Sequence, residues 1–227
     1  MVEKNSVDID FIANDHPWLI SFGGLAGNFG MTPFEFVNTT RDIYVNKMYL
    51  RDFEQSWYQR GLQGFSEDFD GMILFLRQTL KNRGDKKLVL IGNSMGGYAA
   101  IACGVLLNAS VVHAFVPQTF VDRLNRLRYL DMRWHKQIRD MHKSTHCKYL
   151  DLRKLLASVC YECEINIHYS PVNWLDRIHA ERLENFSQVN LHHVNVGSNP
   201  ISADGHYVAK RLRDEGRLKQ IILDSFE

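Results

Sequence analysis

Nowhere in its 227 residues does the chain hold an apolar run approaching the roughly 18 that a membrane span requires. Residues 1–10 are polar and acidic and lack the apolar centre of a secretory signal, so a cytoplasmic protein is expected. Cysteine is scarce: Cys103, Cys147, Cys160 and Cys163 are the only four. A domain of this size needs no disulfide framework, which fits a reduced compartment. Neither sign of charge is in excess, with 27 Lys and Arg against 26 Asp and Glu. That balance argues against bulk nucleic-acid binding as the main role. No repeat, linker or low-complexity segment interrupts the sequence, so residues 1–227 are expected to form one domain with a full core. A nucleotide loop is also missing. Gly23-Gly24-x-x-Gly27 lacks the Gly-x-Gly-x-x-Gly spacing, and no Walker lysine follows.

What is present alternates strand and helix. Trp18–Phe22 reads as a short buried strand ending at Gly23-Gly24, and residues 44–50 as the next. Residues 66–83 carry helix signals: Ser66 as N-cap, Glu67, Asp68 and Asp70 in the first turn, Lys81 and Arg83 in the last, Gly84 as stop. Phe69, Met72, Ile73, Leu76 and Leu80 make one apolar stripe along it. Leu88-Val89-Leu90-Ile91 is a buried strand, 98–107 a helix apolar all round, and 111–116 another strand. Nearly fifty residues of mostly helical pattern then precede strands at Glu164–Tyr169 and 189–196. Such alternation gives a mainly parallel, doubly wound sheet with its ligand site at the strand C-termini.

Between the strand at Leu88 and the helix after it lies Gly92-Asn93-Ser94-Met95-Gly96, a Gly-x-Ser-x-Gly turn in the setting of a nucleophile elbow. Downstream come the other two residue types of a serine triad, in the order acid then histidine. Ser170-Pro171-Val172-Asn173-Trp174-Leu175-Asp176 follows one strand, and Gly205-His206 opens a helix after the last. With Gly23-Gly24 after the third-strand equivalent, these motifs make nearly the whole chain resemble the α/β-hydrolase family.

The resemblance implies a three-layer α/β-hydrolase fold whose mainly parallel sheet lacks the first strand or strands, the two leading strands being missing or reduced to the 9–12 region. It also implies a small helical lid at about 119–160. Ser94 would be the nucleophile. His206 would be the base, since His113, His168, His192 and His193 fall in strands, His135, His142 and His146 in the crossover, and His179 in the helix after Asp176. Asp176 would be the orienting acid, although Asn173 occupies the commoner position; Asp122 and Asp204 are reserves, and an N-cap role also suits Asp176. The oxyanion hole would use the backbone N–H groups of Met95 and Gly24, with Leu25 in reserve.

The crossover is basic. Between 122 and 154 stand ten cations, Arg126 and Arg133 among them, against four aspartates. A solvated helix face is the default reading, and a lid that receives an anionic substrate the sharper one. His142, His146, Cys147, Cys160 and Cys163 could in principle close a tetrahedral zinc site, but cysteine also serves as a small core residue, and no metal is expected. Trp57, Tyr58 and their neighbours hint at a pocket. Together these readings describe a serine hydrolase of a small carboxylic ester or thioester, without cofactor. The alternatives are an acyltransferase on the same scaffold and a silent hydrolase-like binding protein. Acyl group, leaving group and oligomeric state are not encoded legibly.

Overall fold

The computed structural model describes residues 5–25, 34–143, 147–197 and 207–227. Seven strands form one sheet in the order β1-β3-β2-β4-β5-β6-β7. They are β1 (Val7–Asp10), β2 (Trp18–Phe22), β3 (Asn46–Leu50), β4 (Leu88–Asn93), β5 (Val111–Phe115), β6 (Glu164–Tyr169) and β7 (Val189–His193). All neighbours pair in parallel except β1, which runs antiparallel to β3 with Val7 opposite Leu50. Among the described residues the leading strands are thus reduced to one edge strand, four residues long, at Val7–Asp10 rather than in the 9–12 region.

Nine helices are described: α1 (Val37–Thr40), α2 (Phe69–Thr79), α3 (Met95–Leu107), α4 (Arg123–Arg128), α5 (His135–Met141), α6 (Leu152–Ser158), α7 (Trp174–Glu181), α8 (Val208–Asp214) and α9 (Arg217–Asp224). β5 shows how they sort into layers. Val112 turns toward Gly104 of α3, while His113, the next residue, turns to Ser225 at the end of α9. α3, flanked by α2 and α6, therefore covers one face, and α8 and α9 with α1 the other. β2 and β4 lie between and are buried on both faces, in keeping with their mostly apolar runs. No described helix is long and apolar enough to cross a membrane.

Several boundaries differ from the sequence reading. α2 begins at Phe69, capped by Asp68, whose Oδ1 accepts the Gly71 N–H at 2.7 Å. Ser66 is not the cap; its Oγ accepts the Leu62 N–H at 2.8 Å and closes the preceding turn. α3 starts three residues earlier than its pattern suggests, directly after Ser94. The segment after β3 is organised by Asp52, whose carboxylate accepts N–H groups from Glu54, Ser56 and Tyr58. That arrangement holds Trp57 and Tyr58 at positive φ and fully buried, so they serve the core rather than an open pocket.

Candidate active site

β4 delivers the chain to Ser94 and α3 carries it away, with no residue between them. Ser94 sits at φ 54°, ψ −114°, a conformation that costs a non-glycine residue on the order of 1–3 kcal/mol. Its N–H donates to Phe115 O at 2.8 Å, and its carbonyl accepts from Tyr98 N–H at 3.1 Å. Flanking glycines are sterically required. A Cβ at 92 would lie 2.2 Å from Gly96 O, and one at 96 would lie 2.1 Å from Phe22 O. The turn is therefore packed onto the end of β2, as a tight elbow demands. Ser94 is 3% exposed, does not cap α3, and its Oγ has no hydrogen-bond partner among the described residues. A buried hydroxyl without a partner is uncommon. It lies where the first-turn N–H groups and the positive end of a 13-residue helix converge.

The end of β2 meets the same place. A Cβ on Gly24 would stand 2.8 Å from Asn93 O, so only glycine lets this loop approach the elbow. Tyr58 Oη donates to Gly23 O at 2.9 Å and pins the loop from behind. Ser94, Gly24 and Met95 are thus brought together. Glu35 joins them, a residue with no motif in the sequence to mark it. The Gly24 N–H donates to its carboxyl group, and the Ser21 hydroxyl holds its backbone carbonyl at 3.0 Å. Burial pushes the Glu35 carboxyl up to about 7, against the opposing pull of the Gly24 hydrogen bond and the Arg51 charge.

Asp176 lies in the first turn of α7, after β6, and is almost fully buried. It is not the N-cap; Asn173 is, accepting the Asp176 N–H at 3.0 Å. Arg133 donates to Asp176 Oδ1 at 2.6 Å and also to both oxygens of Asp131 at 3.0 Å. His179 Nε2 lies 2.9 Å from Asp131 Oδ2, while its Nδ1 accepts the Thr119 N–H, which fixes the proton on Nε2. Burial keeps this imidazole neutral, lowering it to about 4 despite the neighbouring aspartate. Burial also opposes ionisation of Asp131, but hydrogen bonds from His179 and Arg133 outweigh it and hold that carboxyl well below the usual range. His206 and Asp204 lie outside the described residues. Asp122 caps α4 by accepting the Asn125 N–H at 3.0 Å.

Two of the crossover cations are structural. Arg126 is buried and donates to Arg133 O at 2.9 Å, and Arg133 is committed to its two aspartates, so neither greets a ligand. The zinc alternative gains nothing. Among the described residues no group of three or more His, Cys, Asp and Glu gathers as metal ligands. Cys163 is buried, Cys160 exposed, and His142 Nε2 bonds Val121 O; His146 lies outside the described residues.

No family model matches the chain, and no curated protein matches it in sequence. Solved structures do match in shape. The capsule O-acetyltransferase of Neisseria meningitidis serogroup A superposes with a TM-score of 0.67 at 12% identity, over 95% of this chain and 92% of that one. Esterase B from Lactobacillus rhamnosis gives 0.62 at 12%, over 97% and 80%, and MenH from S. aureus 0.58 at 15%, over 97% of each. At such identities the likeness establishes the fold alone, and the fold is that of the α/β-hydrolases.

Proposed function

We propose that this α/β-hydrolase fold carries a serine-dependent acyl-transfer enzyme that cleaves a small carboxylic ester or thioester through an acyl-enzyme. The observation that carries the reading is Ser94: strained, buried, without a hydrogen-bond partner among the described residues, and at the head of α3. A structural serine in that place would cap the helix; this one does not.

In the proposed reaction Ser94 Oγ attacks the carbonyl carbon as its proton passes to His206. The carbonyl π electrons move onto oxygen, and the N–H groups of Met95 and Gly24 receive the oxyanion. Collapse of the tetrahedral species expels the alkoxide or thiolate, which takes the proton from His206. Water, activated by the same imidazole, then releases the acid. Asp176 is assigned to orient His206 and offset the imidazolium charge, with its own position fixed by Arg133. Neither metal nor cofactor enters any step.

The acyl-enzyme can also be discharged by an alcohol. Likeness to an O-acetyltransferase along almost the whole chain supports keeping that acceptor in view. Short-chain p-nitrophenyl esters test both readings, with intact-protein mass spectrometry following acylation in the presence and absence of sugar alcohols. The expected result is an acyl adduct on wild type and turnover at least about 10⁴-fold lower in Ser94→Ala. Faster discharge by the alcohol than by water would make the protein a transferase. No adduct with any ester would leave it a binding protein.

A further inference from the structure

The segment from α4 into α5 is built inside out. From 123 to 134 its inward positions are polar, before α5 turns the apolar Ile138 and Met141 inward: Arg126 is buried, and Asp131 and Arg133 turn into the ion-pair cluster with His179 and Asp176. Its large apolar side chains point to solvent. Leu124 is 77% exposed, Leu127 72%, Leu130 68%, Met132 64% and Trp134 37%. Single exposed leucines are ordinary, but five large apolar residues exposed within eleven positions are a concentration that marks an interaction surface. Leu130 and Trp134 even hold positive φ, 52° and 53°, while remaining outside the core.

The exposed charges between 123 and 139 are of one sign, with Asp122 and Asp140 just beyond the two ends of that stretch. Between 123 and 139 the only acid is the buried Asp131, while Arg123, Arg128, Lys136 and Arg139 are exposed. None of those four enters an ion pair among the described residues. A cavity of about 480 Å³ adjoins the patch and shares Leu124 and Arg128 with it. Asp122, Asp151, Arg153 and Lys154 also line it, and so does Arg182, 7% exposed, whose Nε is buried without a hydrogen-bond partner among the described residues although its Nη1 pairs with Asp151.

We propose that the α4–α5 face docks on an anionic phospholipid bilayer, with Leu124, Leu127, Leu130, Met132 and Trp134 entering the headgroup boundary and the four cations meeting lipid phosphates. Apolar chains interleaved with arginine and lysine, and a tryptophan beside them, are what an interfacial segment needs. A second copy of the chain fits poorly. A two-fold contact through this face would bring Arg123, Arg128, Lys136 and Arg139 near their own counterparts, while Asp140, the acid that follows Arg139, is already paired with Lys143 at 2.7 Å. In the cavity at the edge of the patch four cations (Arg128, Arg153, Lys154 and Arg182) outnumber two aspartates (Asp122 and Asp151), a balance that leaves room for the phosphate of a headgroup.

Co-sedimentation of the full chain with vesicles tests this, using phosphatidylcholine alone and phosphatidylcholine mixed with phosphatidylglycerol. Binding should appear on the mixed vesicles and weaken as salt is raised. Arg123→Ala and Arg128→Ala should each lower partitioning by about fivefold. Leu127→Glu should abolish binding while circular dichroism and thermal melting stay at wild-type values, since the side chain is exposed. Absence of binding to mixed vesicles overturns the proposal. So does binding that survives both Leu127→Glu and the double variant Arg123→Ala with Arg128→Ala. A lipid-free dimer in analytical ultracentrifugation that Leu127→Glu dissociates would reassign the patch to self-association.

Discussion

Glu35 stands where the account is most sensitive to a single proton. Its carboxyl receives the Gly24 N–H that the proposed mechanism needs for the oxyanion. Once ionised, Glu35 places a negative charge at the spot where negative charge must develop; once protonated, it does not. With the carboxyl raised to about 7, kcat/KM should fall as pH climbs through that region. Glu35→Gln keeps the shape and removes the charge, so its profile should lose the fall and exceed wild type at pH 8. An unchanged alkaline limb would clear Glu35 of any part in it. Arg133 tests a different kind of contact. Its removal in Arg133→Met leaves Asp131 and Asp176 buried without their shared cation, which should destabilise the fold by about 3–5 kcal/mol in urea titrations. Asp176→Asn keeps the packing and should mainly lower turnover, by about 10⁴-fold if it orients His206. Ser94 was legible in the sequence because its whole signal sits within five residues. Glu35 and the Arg133 cluster were not: apart from Asp131, two residues from Arg133, their partners lie 11 to 48 residues away and follow no period.

Elements carry their own lesson. α2 was legible from its stripe and acidic first turn, but its start was misplaced because Ser66 and Asp68 are both good caps and only the backbone decides between them. α4 and its continuation defeat pattern reading for a deeper reason. Periodicity finds which residues share a face, not which face meets the core, and here the ion-pair cluster takes the inside. The strands β5, β6 and β7 hide a further polar layer. His113, His168 and His192 stand side by side on the face under α9, with His113 Nδ1 and His168 Nε2 3.1 Å apart and His113 Nε2 2.8 Å from Ser225 Oγ. Burial lowers all three, His113 to about 4. A folded value below the unfolded value of about 6.5 means stability is full above that pH and is lost as pH falls from there toward 4. For His113 alone the loss is on the order of 3 kcal/mol. Denaturant midpoints should therefore drop between pH 7.5 and 4.5, and His113→Gln should shallow the slope. A flat profile would mean that these imidazoles find water in the folded state.

At the scale of the molecule, the chain alternates strand and helix plainly enough for the parallel sheet, its layers and the elbow's place at the strand C-termini to be legible without coordinates. The edge strand β1 was harder to read because only Val7 of its four residues is buried, so no alternation advertises it. What the fold contributes to function is placement. β2 ends against the turn that begins α3, and that junction brings Gly24, Met95 and Ser94 together from stretches some 70 residues apart. The central claim is that this junction activates one serine. Labelling the purified protein with a fluorophosphonate and locating the adduct by peptide mass spectrometry addresses it directly. The account predicts a single adduct on Ser94, absent from Ser94→Ala. Labelling that persists in that variant, or no labelling of a folded wild-type protein, would contradict it.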